Sequence, residues 1–123
     1  MVWCVAVRRT SRQTYNSYFI HCFPETLGEI AQVCIDNDLW LISDEVYDTQ
    51  IWEGTHLSPR ALPNMAERTL VVGSMSKSHA MTGSRIGWVC GPPEVIKHLI
   101  NLATHTTYGV PGYIQDAAQF ALA

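Results

Sequence analysis

Thr69-Leu70-Val71-Val72-Gly73-Ser74-Met75-Ser76-Lys77 is the stretch on which the reading of this chain turns. Its first four residues form a short apolar run rich in β-branched side chains, which predicts a buried strand closed by Gly73. Lys77 then falls just past the strand's carboxyl end, in a polar, glycine-bracketed loop. Ligands of open α/β sheets bind in the crevice outside the carboxyl ends of the strands, so this lysine and its neighbours are candidate contacts. Ser74, Ser76, Ser78, Thr82 and Ser84 supply small hydroxyls, and Arg85 adds a planar guanidinium. That combination suits a phosphate, and an amine beside a bound phosphate is the sharper clue.

Upstream, Leu39-Trp40-Leu41-Ile42 is a continuous apolar run of strand length, as expected of a strand buried on both faces in a parallel sheet. At its end Ser43-Asp44-Glu45-Val46-Tyr47 places an acid and a phenol at the same sheet edge as Lys77, if the two strands run parallel. From Pro24, Leu27, Ile30, Ala31 and Cys34 recur at helical spacing. Thr26 and Glu29 have the separation of a capping box, and Asp36-Asn37-Asp38 ends the helix. Residues 48–68 carry Gly54, Pro59 and Pro63 and predict a surface connection that covers the site, with a helical turn at Asn64–Glu67.

Downstream, Ile86-Gly87-Trp88-Val89-Cys90 follows too soon for a helical crossover, so it is expected to run antiparallel. Gly91-Pro92-Pro93 opens a helix marked by Val95, Leu99, Leu102 and Ala103. A further helix after Pro111 carries Ile114, Ala117, Ala118 and Ala121, and the sequence reads as cut inside that element. Helices alternating with buried strands give an α/β class.

Residues 1–23 take no element from this reading. Their apolar start precedes Arg8-Arg9, the reverse of a secretory signal, and Thr10 to Phe23 shows no steady period. The expected organisation is thus an unassigned segment, 1–23, not native to the fold, and a domain from 24 to 123.

With 47% hydrophobic and 15% charged residues the chain belongs with globular proteins, and a net charge of −3 argues for neither nucleic acid nor an anionic membrane. No apolar run reaches the roughly 20 residues that span a bilayer, so the expected location is cytoplasmic. The four cysteines, Cys4, Cys22, Cys34 and Cys90, form no CxxC pair and read as small buried hydrophobes.

Each site residue alone is most simply a solvated surface group; it is their joint placement that is informative. SDEVY, SMSK and SRIGW together resemble the cofactor-contact signature of class I and II aminotransferases of fold type I, which use pyridoxal phosphate (PLP). The resemblance runs from about Pro24 to the chain's end. It implies a fragment of that family's large domain, with a mostly parallel sheet, one antiparallel strand and flanking helices. It implies that Lys77 is catalytic, forming a Schiff base with the cofactor and moving the proton at the substrate's Cα. Asp44 would pair with the pyridine nitrogen, Tyr47 would donate to the ring oxygen, and Ser74 and Arg85 would hold the phosphate, with Ser76 a weaker contact. The implied substrates are an amino acid and a 2-oxo acid, and the implied unit of the full-length parent is a homodimer. HAMTGSRIGW looks like bacterial arginine:pyruvate and aspartate types without choosing between them.

The family's glycine-rich phosphate loop, the asparagine motif before Pro24 and the carboxylate-clamping arginine are not found. The alternative reading is therefore a truncated, inactive fragment with at most residual PLP binding. Two other chemistries are weaker. Ser74-Met75-Ser76-Lys77 fits the SxxK of serine acyl-transferases, but no SDN or KTG accompanies it. His21, His56, His79, His98 and His105 lack zinc-ligand spacing, so no metal is expected.

Overall fold

The computed structural model describes residues 2–8, 18–20 and 24–123. Five strands form one mixed sheet: β1 (Val2–Arg8), β2 (Tyr18–Ile20), β3 (Leu39–Asp44), β4 (Thr69–Ser74) and β5 (Gly87–Cys90), in the order β2-β1-β3-β4-β5. The helices are α1 (Pro24–Asp36), α2 (Met75–Ser78), α3 (Pro93–Thr106) and α4 (Gly112–Leu122). As expected, β3 and β4 are parallel, in register from Leu41↔Thr69 to Asp44↔Val72, and β5 runs antiparallel to β4. Two further antiparallel pairings, β1 with β3 and β1 with β2, fall where the sequence suggested no element. The apolar run that opens the chain is one of these strands; it lacks the alternation that would have separated a strand from a buried helix.

The core lies where α1 meets β3. Ala31 and Cys34 on α1 pack with Leu39 and Leu41, Met65 closes the cluster from the connection, and Leu27 of α1 is buried as well. Leu41 and Met65 are fully buried, each contributing about 1.5–3 kcal/mol of apolar transfer. Burial raises the Cys34 thiol above its ordinary range, with nearby Arg68 partly opposing the rise. Cys90, by contrast, is exposed, so the expectation of buried cysteines holds at Cys34 and fails at the edge strand.

Local chemistry explains two departures from expectation. Helix α1 already begins at Pro24, so Thr26 lies inside it and is not its cap. Proline suits a first helical position because its missing N–H would have had no partner there. The helical turn of the connection is a 3₁₀ turn at Pro59–Ala61, not Asn64–Glu67, because Ser58 caps it by accepting from the Arg60 N–H. Residues near 64–67 form hydrogen-bonded turns instead, including Arg68 N–H to Met65 O at 3.2 Å.

Glycine sets how closely β4 and β5 approach. A Cβ on Gly87 would stand 2.7 Å from the Gly73 carbonyl oxygen, a backbone atom that cannot step aside, and one on Gly73 would meet the Trp88 ring at 2.5 Å. We expect Gly87→Ala to lower stability by about 1–3 kcal/mol, the usual range for overpacking. Urea unfolding reads this directly, and an unchanged midpoint would contradict the close approach. Cys34 should alkylate far more slowly than Cys90 at pH 8, because a raised thiol keeps its proton and reacts only as thiolate. Peptide mapping after brief iodoacetamide treatment would show this, and equal labelling would refute it.

Candidate functional site

Ser74, the last residue of β4, is fully extended (φ −159°, ψ 149°), and its hydroxyl accepts from the Ser76 N–H at 3.0 Å. That cap turns the chain directly into α2, so Met75–Ser78 is a single helical turn and not the loop expected. Met75 is buried and anchors the turn, while Lys77 on its last residues is exposed. The Lys77 ammonium lies 5.9 Å from the centroid of the Tyr47 ring, within cation–π range. Its carbonyl oxygen accepts from Gln50 Nε2 at 3.1 Å, so the connection after β3 does reach the lysine turn.

Beside α2, Ser74, Ser76, Arg85, Ile86 and Gly87 line a cavity of about 210 Å³. Ser74 Oγ stands 2.9 Å from Ser76 Oγ and 3.0 Å from Ile86 O, and its one proton can serve either partner. Arg85 follows a 3₁₀ turn, Thr82–Ser84, and adopts a left-handed backbone (φ 52°, ψ 46°). A non-glycine residue there costs about 1 kcal/mol or more, so this guanidinium is carried at a position glycine would occupy more easily. It donates from Nη1 to Thr82 O at 3.0 Å.

Asp44 ends β3 opposite Val72, and its Oδ1 accepts from the Val46 N–H at 3.1 Å, starting the turn that carries Tyr47. The carboxyl ends of β3 and β4 and the start of the antiparallel β5 therefore bring all six candidate residues to one edge of the sheet, five of them in two groupings and Asp44 in neither. Ser74, Ser76 and Arg85 surround the cavity, Lys77 meets Tyr47, and neither Asp44, Tyr47 nor Lys77 lines that cavity. Sequence reasoning passed over Glu45, which is buried and bonded to His56 and Ser58. The signal was available: Leu39, Leu41 and Ser43 form the buried face of β3, Glu45 continues that alternation just past the strand, and a buried carboxylate requires partners. No group of three or more metal-ligating side chains occurs among the described residues.

The sequence profile of the class I and II aminotransferases matches residues 21–123. The chain belongs to that family. It is 55% identical over 97 residues to an arginine–pyruvate transaminase of Pseudomonas aeruginosa, covering 79% of this chain and 25% of that protein. An aspartate/prephenate aminotransferase of Thermus thermophilus is 43% identical over 84 residues, 68% of this chain and 21% of its own length. Among solved structures, an aromatic aminotransferase from Pyrococcus horikoshii superposes with a TM-score of 0.76 at 37% identity, over 79% of this chain and 26% of that one. The α/β fold expected of these transferases is thus the fold observed, except that two strands, β1 and β5, run against the other three where one was expected, because β1 comes from the opening segment that was given no element; the chain spans about a quarter of the length of these relatives.

Ser74→Ala removes the cap of α2. The Ser76 amide should then exchange with solvent markedly faster, with stability lowered by about 1 kcal/mol. Hydrogen exchange followed by NMR tests this, and an unchanged Ser76 rate would show that α2 stands without its cap.

Proposed function

We propose that this chain contributes the lysine, the ring contacts and part of the phosphate site of a PLP-dependent aminotransferase, which moves an amino group from an amino acid to a 2-oxo acid. The observation that carries this reading is the adjacency, at the carboxyl end of β4, of an exposed lysine facing a tyrosine ring and a cavity lined by Ser74, Ser76 and Arg85, with the parallel strand β3 ending beside it. The donor set fits the cofactor. Two hydroxyls and a guanidinium around about 210 Å³ match a phosphate's several acceptor oxygens, the Tyr47 ring faces the lysine, and Asp44 ends the neighbouring parallel strand. Bound there, the cofactor supplies an aldehyde that condenses with an amine as water leaves, and a ring that accepts the electron pair of a substrate Cα–H bond.

The residues divide that work. Ser74 and Arg85 hold the phosphate, and Ser76 adds a hydroxyl whose direction is set by Ser74. Lys77 provides the amine, and when it is free it takes and returns the Cα proton. Asp44 sustains a positive charge on the ring nitrogen. Tyr47 offers its hydroxyl to the ring oxygen and its face to the lysine. The names of the relatives make arginine and aspartate the amino donors to screen first, with 2-oxo acids such as pyruvate as acceptors. The parent is proposed as a cytoplasmic homodimer. No helix among the described residues is long and apolar enough to cross a membrane.

Lys77 and Lys97 are the only lysines, which makes the test sharp. The 123-residue chain is incubated with PLP, reduced with borohydride and mapped by mass spectrometry. Pyridoxyl label should accumulate on Lys77 ahead of Lys97, with Arg85→Ala raising the PLP requirement about tenfold, as expected for a lost charged hydrogen bond. Turnover by this polypeptide alone should be slow or undetectable, since orienting a substrate needs more than a lysine and half a shell. Equal labelling of the two lysines would overturn the assignment.

A further inference from the structure

Glu45 is the only buried carboxylate among the described residues, and both of its oxygens are engaged. Oε2 stands 2.7 Å from His56 Nε2, and Oε1 accepts from Ser58 Oγ at 2.7 Å. Its backbone is held as well: the Glu45 N–H donates to Val72 O at 2.8 Å, and the Glu45 carbonyl accepts from the Asp48 N–H at 3.0 Å. Ser58 passes the connection on, capping the 3₁₀ turn whose Arg60 donates to Thr69 O at 3.0 Å. One side chain thus ties the carboxyl end of β3 to a brace that reaches the start of β4.

A serine, a histidine and a carboxylate together invite a hydrolytic reading, but the order is wrong. A nucleophilic serine needs the imidazole on its hydroxyl, with the carboxylate behind the imidazole. Here the carboxylate stands between the other two, so the serine proton is spent on Glu45. The arrangement holds parts in place. What it holds is the segment from Glu45 to His56, which contains Tyr47 and the Gln50 that bonds Lys77 O, with Asp44 immediately before it.

We propose that Glu45 is a positioning residue: through His56 and Ser58 it fixes the Asp44–Tyr47 turn against α2 and so sets the approach of Tyr47 to the Lys77 amine. This rests on the cofactor reading above for what Lys77 does. Truncation to alanine releases the loop. Glutamine keeps the shape, accepts from Ser58 through its carbonyl and donates to an unprotonated His56 Nε2 through its amide, so Glu45→Gln should rescue.

The experiment titrates PLP into the 123-residue chain and three variants, with borohydride trapping at Lys77 and Lys97 as the internal reference. Glu45→Ala should raise the half-saturating PLP for Lys77 about tenfold, in the range that small misplacements cost, and Glu45→Gln should stay within about threefold. Arg68→Ala is the stability control, because it removes bonds to Cys34 O and Asp38 at the opposite end of β4. It should lower the unfolding midpoint and leave Lys77 labelling unchanged. A folded Glu45→Ala chain that labels Lys77 at the wild-type concentration would overturn the proposal, as would an Arg68→Ala chain that loses labelling equally. Should Glu45→Ala fail to fold, His56→Ala and Ser58→Ala each remove one arm, and intermediate losses are expected; no loss in either would overturn it. If the wild-type chain labels both lysines alike, the cofactor reading fails by itself. Positioning is then read from exchange of the Asp48 and Gln50 amides, which should quicken in Glu45→Ala, and unchanged rates would overturn it.

Discussion

The parallel pairing of β3 with β4 is the constraint on which the rest depends. Four residues of each strand are in register, and the Glu45 N–H adds one more bond to Val72 O beyond the last of them. Parallel strands end at the same edge, so the two segments that leave them, 45–50 and 75–85, start side by side. An antiparallel pairing would have sent Asp44 and Ser74 to opposite ends of the sheet. The chemistry of the site is therefore a consequence of strand direction, and strand direction follows from a long connection that leaves room to return over the core.

Close approach of β5 is the second constraint. Gly73 leaves space for the Trp88 ring, and Gly87 lets the β5 backbone lie against the Gly73 carbonyl. Because Gly87 and Ile86 also line the serine–arginine cavity, the same approach sets how near Arg85 stands to Ser74. The left-handed backbone of Arg85 is part of that geometry: the turn before β5 is tight, and the residue that completes it carries the guanidinium. Conformational cost and a cationic side chain meet at one position.

Much of this was legible in the sequence because the informative segments are short, apolar and bounded. Leu39–Ile42 and Thr69–Val72 are short runs with polar residues or glycine at their carboxyl ends, and it is their length and these bounds, not alternation, that favour a buried strand over a helix. The missed features share a different origin, since each depends on a partner distant in sequence. Ser74 acts as a cap only once the chain turns at Met75, which happens because Met75 finds a buried place. Glu45 is informative only when His56 and Ser58 close on it. Strand β1 gains its meaning from β3, more than thirty residues on, and its own sequence carries no alternation to announce it.

The supports of the site are of two kinds, and the difference bears on how it works. Asp44 and Ser74 sit at strand ends inside a hydrogen-bonded ladder, where shared bonds hold the backbone. Tyr47, Lys77 and Arg85 sit on turns, each held by few contacts: Gln50 to Lys77 O, Thr82 Oγ1 to Ser76 O at 3.0 Å, and Arg85 to Thr82 O. Under the proposed function, Asp44 and Ser74 would grip charge from the ladder, Arg85 would do so from a turn, and Lys77, an amine that must be free at one moment and linked at another, would also work from a turn. Softness has a limit, however, because a misplaced amine or phenol loses rate steeply. A turn can meet both demands if it is short and its ends are pinned, and the buried Glu45 carboxylate pins the Tyr47 turn much as the Ser74 hydroxyl pins the Lys77 turn.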